Sequence, residues 1–319
     1  VFLLPFNLVI QAYGGSIFEE RLNRRGEPLL VSPVSRGDIV LGKTLPYLLA
    51  SVVVTAIIAG AVGGGVRSVA AIAPLAALFL AATFVAGMLV RSYKELTFVT
   101  VTISVTLTAY AFVPAVFTTV HPIAAISPLS VVVDDLRGAP VSLGAFVLST
   151  GPVALAAGVL FVLGTGLYRE EHLFSRRPLP AKVVDAVADP LRNWWDAGLW
   201  TALFIPFVFV TELFAVAVLF VLPTATSIPV LFAVVAVVEE IAKSGHVAAA
   251  FERGRFERSL RSGLALGVAS GVGFFVAEKA MAVTQLVGLP GLDVGRAAFG
   301  PVLASVNVGL LLLAGTVAV

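Results

Sequence analysis

Apolar residues in this chain run in long blocks, with polar residues gathered into the short stretches between them. A helix needs about 20 apolar residues to cross ~30 Å of hydrocarbon. Nine stretches fit that description: 1–17 (incomplete), 45–63, 69–90, 97–120, 144–168, 199–222, 228–250, 263–284 and 298–319. All nine are expected to be helices, because an open strand leaves its backbone polar groups unsatisfied in lipid. The fold class predicted is all-α, a polytopic transmembrane helical protein of about nine spans.

Composition agrees. Hydrophobic residues make up 59% of the 319 and charged residues 13%, against roughly 45–50% and 25% in soluble domains. Mean hydropathy is +1.02. These values exclude a soluble globular enzyme, a disordered chain and a nucleic-acid binder; the partner they imply is the lipid bilayer. The chain has no cysteine, so it has no disulfide framework and no thiolate nucleophile or ligand. No basic n-region or cleavage site marks the first block as a secretory signal. Both ends read as cut through larger membrane segments.

The basic residues orient the spans, since cytoplasmic loops carry an excess of Lys and Arg. Loops 18–44, 91–96, 169–198 and 251–262 together hold sixteen of the 21. The alternate loops hold only Arg67, Arg137 and Arg296, while Lys243 and Lys279 lie inside spans. The first group of loops is therefore expected to be cytoplasmic. Loop 169–198 is the longest and the best domain boundary. It divides the chain into 1–170, a linker 171–198, and 199–319.

The two parts differ in buried charge. Spans two to five contain no Asp, Glu, Lys or Arg, whereas the last four contain Glu212, Glu239, Glu240, Lys243, His246, Glu278 and Lys279. An ionisable group at mid-bilayer costs about 2.5–3.5 kcal/mol or more, so it usually faces a cavity or a partner. On a helix, Lys243 is one turn from both Glu239 and Glu240 and can pair with either, with His246 near the same stripe. At ~1.5 Å per residue, Glu239 lies about 18 Å deep and Glu278 about 25 Å from the cytoplasmic end. Gly263, Gly267 and Gly271 recur every four residues, a small-residue pattern that permits close helix approach. They predict a close-packed face that also carries Glu278. Glu212 lies near the middle of the sixth span. Several carboxylates converging in a low dielectric cannot all ionise. Such a set can provide a base for water and a proton donor for a leaving amine.

Val237-Val238-Glu239-Glu240-Ile241-Ala242-Lys243 resembles the EExxK motif of the PrsW intramembrane proteases. Gly273-Phe274-Phe275-Val276-Ala277-Glu278-Lys279 resembles that family's second motif, with Lys279 in place of the usual Asn. Ser262 stands where an Asp often precedes Gly263. The family's third element, a His on a later helix, has no counterpart after His246 in this sequence. The related CAAX-processing family has an EExxxR motif, and the position of Lys243 fits PrsW better. The resemblance covers about 200–319. It implies a glutamate-dependent peptidase acting on a membrane-anchored peptide substrate. Glu239, Glu240, Lys243 and Glu278 would be the catalytic set, with His246, Glu212 and Lys279 as further site candidates. It leaves a divalent metal open as cofactor.

The first part resembles a different family. Phe18-Glu19-Glu20-Arg21, the run Glu27 to Arg36, Leu41-Gly42-Lys43-Thr44-Leu45-Pro46-Tyr47 and Ile126-Ser127-Pro128-Leu129 follow the order found in type-2 ABC exporter permeases. This likeness covers about 1–170. It implies that ATP acts only through a separate ABC ATPase subunit docking on loops such as 18–44, since the chain has no phosphate-binding GxxxxGK[ST] loop. Together the resemblances imply a multi-pass protein of a prokaryotic-type plasma membrane.

Plainer readings of the same residues stay open. Glu239 and Lys243 would serve equally as a structural ion pair, and Glu278 as a hydrogen-bonding group at a helix interface. Glu212 has no motif around it and suits packing or proton relay. His246 suits a satisfied interface residue, and Lys279 a partner for Glu278 or Glu212. Gly63-Gly64-Gly65 reads as a turn; His121, His172, Trp194 and Trp195 read as interfacial. The alternative overall function is a transporter permease whose carboxylate-bearing helices are regulatory, or a membrane scaffold.

Overall fold

The computed structural model describes residues 1–23, 33–116, 124, 126–168, 178–219 and 223–288. Ten helices run in order: α1 (Leu4–Leu22), α2 (Arg36–Val62), α3 (Val66–Leu89), α4 (Tyr93–Val116), α5 (Pro128–Leu136), α6 (Leu143–Leu167), α7 (Leu179–Ala188), α8 (Trp194–Leu219), α9 (Thr224–Glu252) and α10 (Leu260–Gly288). No strand occurs among the described residues.

Among the described residues, five helices are long and apolar enough to cross a membrane: α2, α3, α4, α6 and the Leu260–Ala282 part of α10. The expected count of about nine is not reached by these five. The predicted spans 1–17, 199–222 and 228–250 do coincide with α1, α8 and α9. In α1 the apolar run is broken by Asn7, Gln11, Glu19, Glu20 and Arg21; in α9 it is broken by Glu239, Glu240 and Lys243. In α8 the described apolar run is the shorter Trp194–Phe209. The predicted span 298–319 lies outside the described residues, as do His121, His172 and the Glu27–Ser32 part of the loop motif.

Helix α3 is the centre of the first part. Ile72, Leu75, Phe79, Leu80 and Phe84 are buried on it, packed by Phe6, Ile10, Tyr13 and Ile17 of α1 and by Val153 and Ala157 of α6. Both ends of α3 are held by charged side chains from far along the chain. At its start, the Asp135 carboxylate accepts from Gly65 N (2.8 Å), Ser68 N (3.2 Å) and Ser68 Oγ (2.6 Å). At its end, Arg21 donates to the carbonyls of Gly87 and Val90. These are the backbone groups that a helix leaves without internal partners. The expected turn at Gly63 is present: Gly63 ends α2 with φ 80°, a left-handed conformation that costs glycine little.

Near the start of α2, Lys43 donates to Glu20 of α1 and to the Tyr168 hydroxyl (2.7 Å), and Tyr168 donates to Glu20 (2.9 Å). The Lys43 segment of the loop motif is thereby tied to α1 and to the end of α6. Helix α6 also reaches the second part. Its Val159 shares a buried cluster with Leu191, Ala197 and Trp200, and with Ala250, Leu266 and Ala269 of α9 and α10.

The stretch read as a linker contains α7, a short helix that the hydropathy pattern does not reveal. Ala186 and Ala188 on it are buried, and it lies against Gly166, where an added Cβ would sit 3.3 Å from the Ala186 carbonyl. On its other side it is clamped to the turn between α9 and α10. Arg253 Nε lies 2.6 Å from Asp185, Arg253 Nη2 donates to Ala181 O (2.8 Å), and Arg255 Nη2 donates to Asp189 (2.9 Å). Lys182 of α7 is buried. Desolvation, with Arg21 and Arg91 nearby, pushes its pKa down to about 8.

Candidate intramembrane site

The site begins with a crossing of two backbones. A Cβ on Gly273 of α10 would overlap the carbonyl of Gly198 on α8, and a Cβ on Gly198 would overlap the Ala269 carbonyl. The glycine of the second motif is therefore the point where α8 and α10 meet. The predicted close-packed face is corrected here. An added Cβ at Gly263 or Gly267 meets open space. The buried positions of α10 are instead Leu266, Ala269, Ser270 and Phe274. Recurrence at every fourth residue identifies a face of small residues, but not whether another helix lies on it.

Around this crossing runs a chain of polar side chains in which the candidate His246 is joined by two residues not among the candidates, Thr201 and Ser270. Ser270 Oγ donates to the Lys243 carbonyl (2.7 Å) and lies 2.8 Å from Thr201 Oγ1. Thr201 donates to the Ala197 carbonyl (2.8 Å) and lies 3.2 Å from His246 Nε2. His246 Nε2 is also 3.0 Å from the Ala197 carbonyl; since a carbonyl only accepts, Nε2 carries the proton in that bond. Thr201 and Ser270 are fully or nearly fully buried, and His246 is 2% exposed. His246 thus pins α9 to α8, and Ser270 pins α10 to α9. The only signal for Thr201 and Ser270 in the sequence is their short hydroxylated side chains near Gly198 and Gly273.

The charged residues extend from this core. Lys243 Nζ lies 3.2 Å from Glu239 Oε2 on its own helix and 4.2 Å from the centre of the Phe274 ring on α10. The first motif thereby touches the second. Both side chains of the pair are partly buried, at 33% and 31% exposure. Glu278, one turn beyond Phe274, is 3.2 Å from Lys279, whose Nζ lies over the Phe275 ring at 5.5 Å. Glu212 of α8 is within electrostatic range of Glu239 and Glu278. One carboxylate from each of three helices therefore belongs to one neighbourhood. Glu240 does not share it directly. It is exposed, about 100° round α9 from Glu239 at 3.6 residues per turn, and accepts from Ser244 Oγ.

Residues 189–304 match the family model described as PrsW family intramembrane metalloprotease. This segment is PrsW-like. The match takes in Glu212, both motifs and the crossing of α8 with α10; it does not extend to the first 188 residues. No curated protein and no solved structure matches the chain.

The family's description raises the question of a metal. Glu212, Glu239 and Glu278 supply oxygen donors of the type that suits hard divalent cations. Among the described residues, however, no three His, Asp or Glu side chains are gathered closely enough to hold one ion. Glu239 is paired with Lys243 and the Nε2 of His246 is committed to α8. The described residues do not fit a metal centre.

Proposed function

We propose that the PrsW-like segment is an intramembrane peptidase that cleaves a membrane-anchored peptide between α8, α9 and α10. The observation that carries this reading is the meeting of its two motifs, with Lys243 paired to Glu239 and seated over Phe274. Glu239 is the base in this reading and Lys243 is its ion-pair partner, holding it in place. Water loses a proton to Glu239 as its oxygen forms a bond to the scissile carbonyl carbon. The carbon–nitrogen bond then breaks, and the leaving amine takes the proton that Glu239 received, with Glu278 completing the site across the helix interface. Proton transfer by positioned groups of this kind contributes about 10²–10⁴-fold. Glu240 supports the site from the outer side of α9, and Lys279 holds Glu278. His246 and the Thr201–Ser270 chain position the three helices.

Residues 1–170 fit a permease-like module, a reading that rests on the loop motifs. In it, a separate ATPase subunit docks on 18–44, and the Lys43–Glu20–Tyr168 cluster transmits its movement to α6.

The test is cleavage of single-span peptides by the full chain in proteoliposomes. Wild type is expected to cleave, and Glu239→Gln and Glu278→Gln to lose activity while keeping their thermal midpoints. Folded wild type that cleaves nothing across a wide peptide panel would overturn the peptidase reading.

A further inference from the structure

A second feature lies away from the carboxylates, at the junction of the two parts. A cavity of ≈ 590 Å³ opens there, lined by Ser35, Arg36 and Gly37 at the start of α2, by Thr165 near the end of α6, and by Asp189, Arg192 and Arg255. All but Thr165 belong to the loops that the Lys and Arg distribution places in the cytoplasm. Arginines from three separate segments line it with one carboxylate, Asp189; the neighbouring Asp38 and Asp196 are engaged by Ser35 Oγ and by the Arg192 and Asn193 amides. Asp189 is already paired with Arg255 at 2.9 Å. Arg36 and Arg192 form no ion pair among the described residues. The cavity is therefore lined by two cations without an ion-pair partner among the described residues, beside the start of the 27-residue α2, whose first turn is capped by Ser35.

The walls are built rather than incidental. The turn between α9 and α10 is held on α7 by Arg253–Asp185 and Arg255–Asp189, with Gly254 at φ 64° making the turn. The depth of the cavity is marked independently. Trp194 and Trp195, immediately after Arg192, are 53% and 58% exposed. Exposed tryptophans at the end of an apolar helix sit at headgroup level. A planar guanidinium fork matches phosphate oxygens in pairs.

We propose that this cavity binds a phosphoryl group, held by Arg36 and Arg192 and closed by Arg255. The group is the phosphate of an anionic phospholipid headgroup, or that of a soluble phosphate compound of the cytoplasm. Such a ligand bridges α2 of the first part and the α7–α8 and α9–α10 connections of the second. It therefore favours whichever arrangement of the two parts keeps the three arginines together.

The experiment is native mass spectrometry of the full chain in detergent, titrated separately with phosphatidylglycerol, phosphatidylcholine and inorganic pyrophosphate. Two double variants accompany it: Arg36→Gln with Arg192→Gln in the cavity, and Arg258→Gln with Arg261→Gln on the same cytoplasmic side but off it. Thr165→Glu places a carboxylate in the cavity without removing an arginine. The expected result is preferential retention of phosphatidylglycerol, weakened at least fivefold by the cavity pair and by Thr165→Glu, and unchanged by the control pair. Binding of pyrophosphate with the same mutational pattern supports the site and assigns the soluble source. Equal loss in both double variants shows a diffuse basic surface and overturns the proposal. So does the absence of binding by all three probes. The readout is binding, so it stands or falls separately from peptidase activity.

Discussion

Lys243 Nζ lies 4.2 Å from the centre of the Phe274 ring, and this contact joins two motifs thirty residues apart on different helices. The same lysine is 3.2 Å from Glu239. A cation held between a carboxylate and an aromatic face stays put without a second carboxylate. Replacing Lys243 with Met is expected to cost about 10²-fold or more in cleavage rate, on the scale of other acid–base groups. Phe274→Leu keeps the apolar packing and removes only the ring face. It is expected to cost about thirtyfold or less, as a cation–π contact of ~0.5–2 kcal/mol implies. Rates on a single-span peptide in proteoliposomes check both.

The crossing of α8 and α10 leaves no room for a side chain. Gly273→Ala and Gly198→Ala are each expected to destabilise the fold by about 1–3 kcal/mol or more, the range for overpacking. Gly267→Ala, at a position with open space around it, is expected to be neutral or slightly stabilising, because alanine is the better helix former by ~1 kcal/mol. Thermal unfolding of the three variants in one detergent tests the contrast. Equal behaviour would show that the helices do not meet at Gly198 and Gly273.

Asp135 caps α3 from seventy residues away. Its hydrogen bonds from Ser68 and Gly65 hold its carboxyl below the ordinary value of 3.8. A lowered carboxyl stabilises the fold at pH values above that ordinary value, and the contribution is lost as pH falls through the folded value. Asp135→Asn is expected to cost about 0.5–2 kcal/mol at neutral pH, as other cap losses do. The difference between wild type and variant should shrink only in the acid range below 3.8. Thermal midpoints across that range measure it.

Lys182 gives the opposite pH dependence. Burial, and then Arg21 and Arg91, lower its pKa from 10.5 to about 8. Between those values the folded protein binds fewer protons than the unfolded chain, so stability rises with pH there. The cost of the charged form is fully present below pH 8 and gone above 10.5. Lys182→Met is expected to abolish that rise. Midpoints at several pH values between 7.5 and 9.5, a window bracketing the value of about 8, compare the two proteins.

Much of this protein was legible without coordinates. Apolar length alone located the helices from α1 to α10 that coincide with predicted spans, because lipid forces each crossing segment to satisfy its own backbone. The contrast between charge-free spans and carboxylate-bearing ones pointed to Glu212, Glu239 and Glu278, since charge at membrane depth is costly enough to need a purpose. Spacing within one helix put Lys243 in reach of Glu239 or Glu240 without choosing between them. Helix α7 escaped because a helix of ten residues at the membrane edge leaves no mark on hydropathy. Contacts between helices depend on rotation and crossing angle, which local pattern does not encode. Only the tertiary structure therefore placed Gly198 against Gly273 rather than packing the Gly263–Gly267 face. It also turned Glu240 outward while Glu239 stayed with Lys243, bound His246 to Thr201 and Ala197, and brought Arg36 and Arg192, 156 positions apart in sequence, to one cavity.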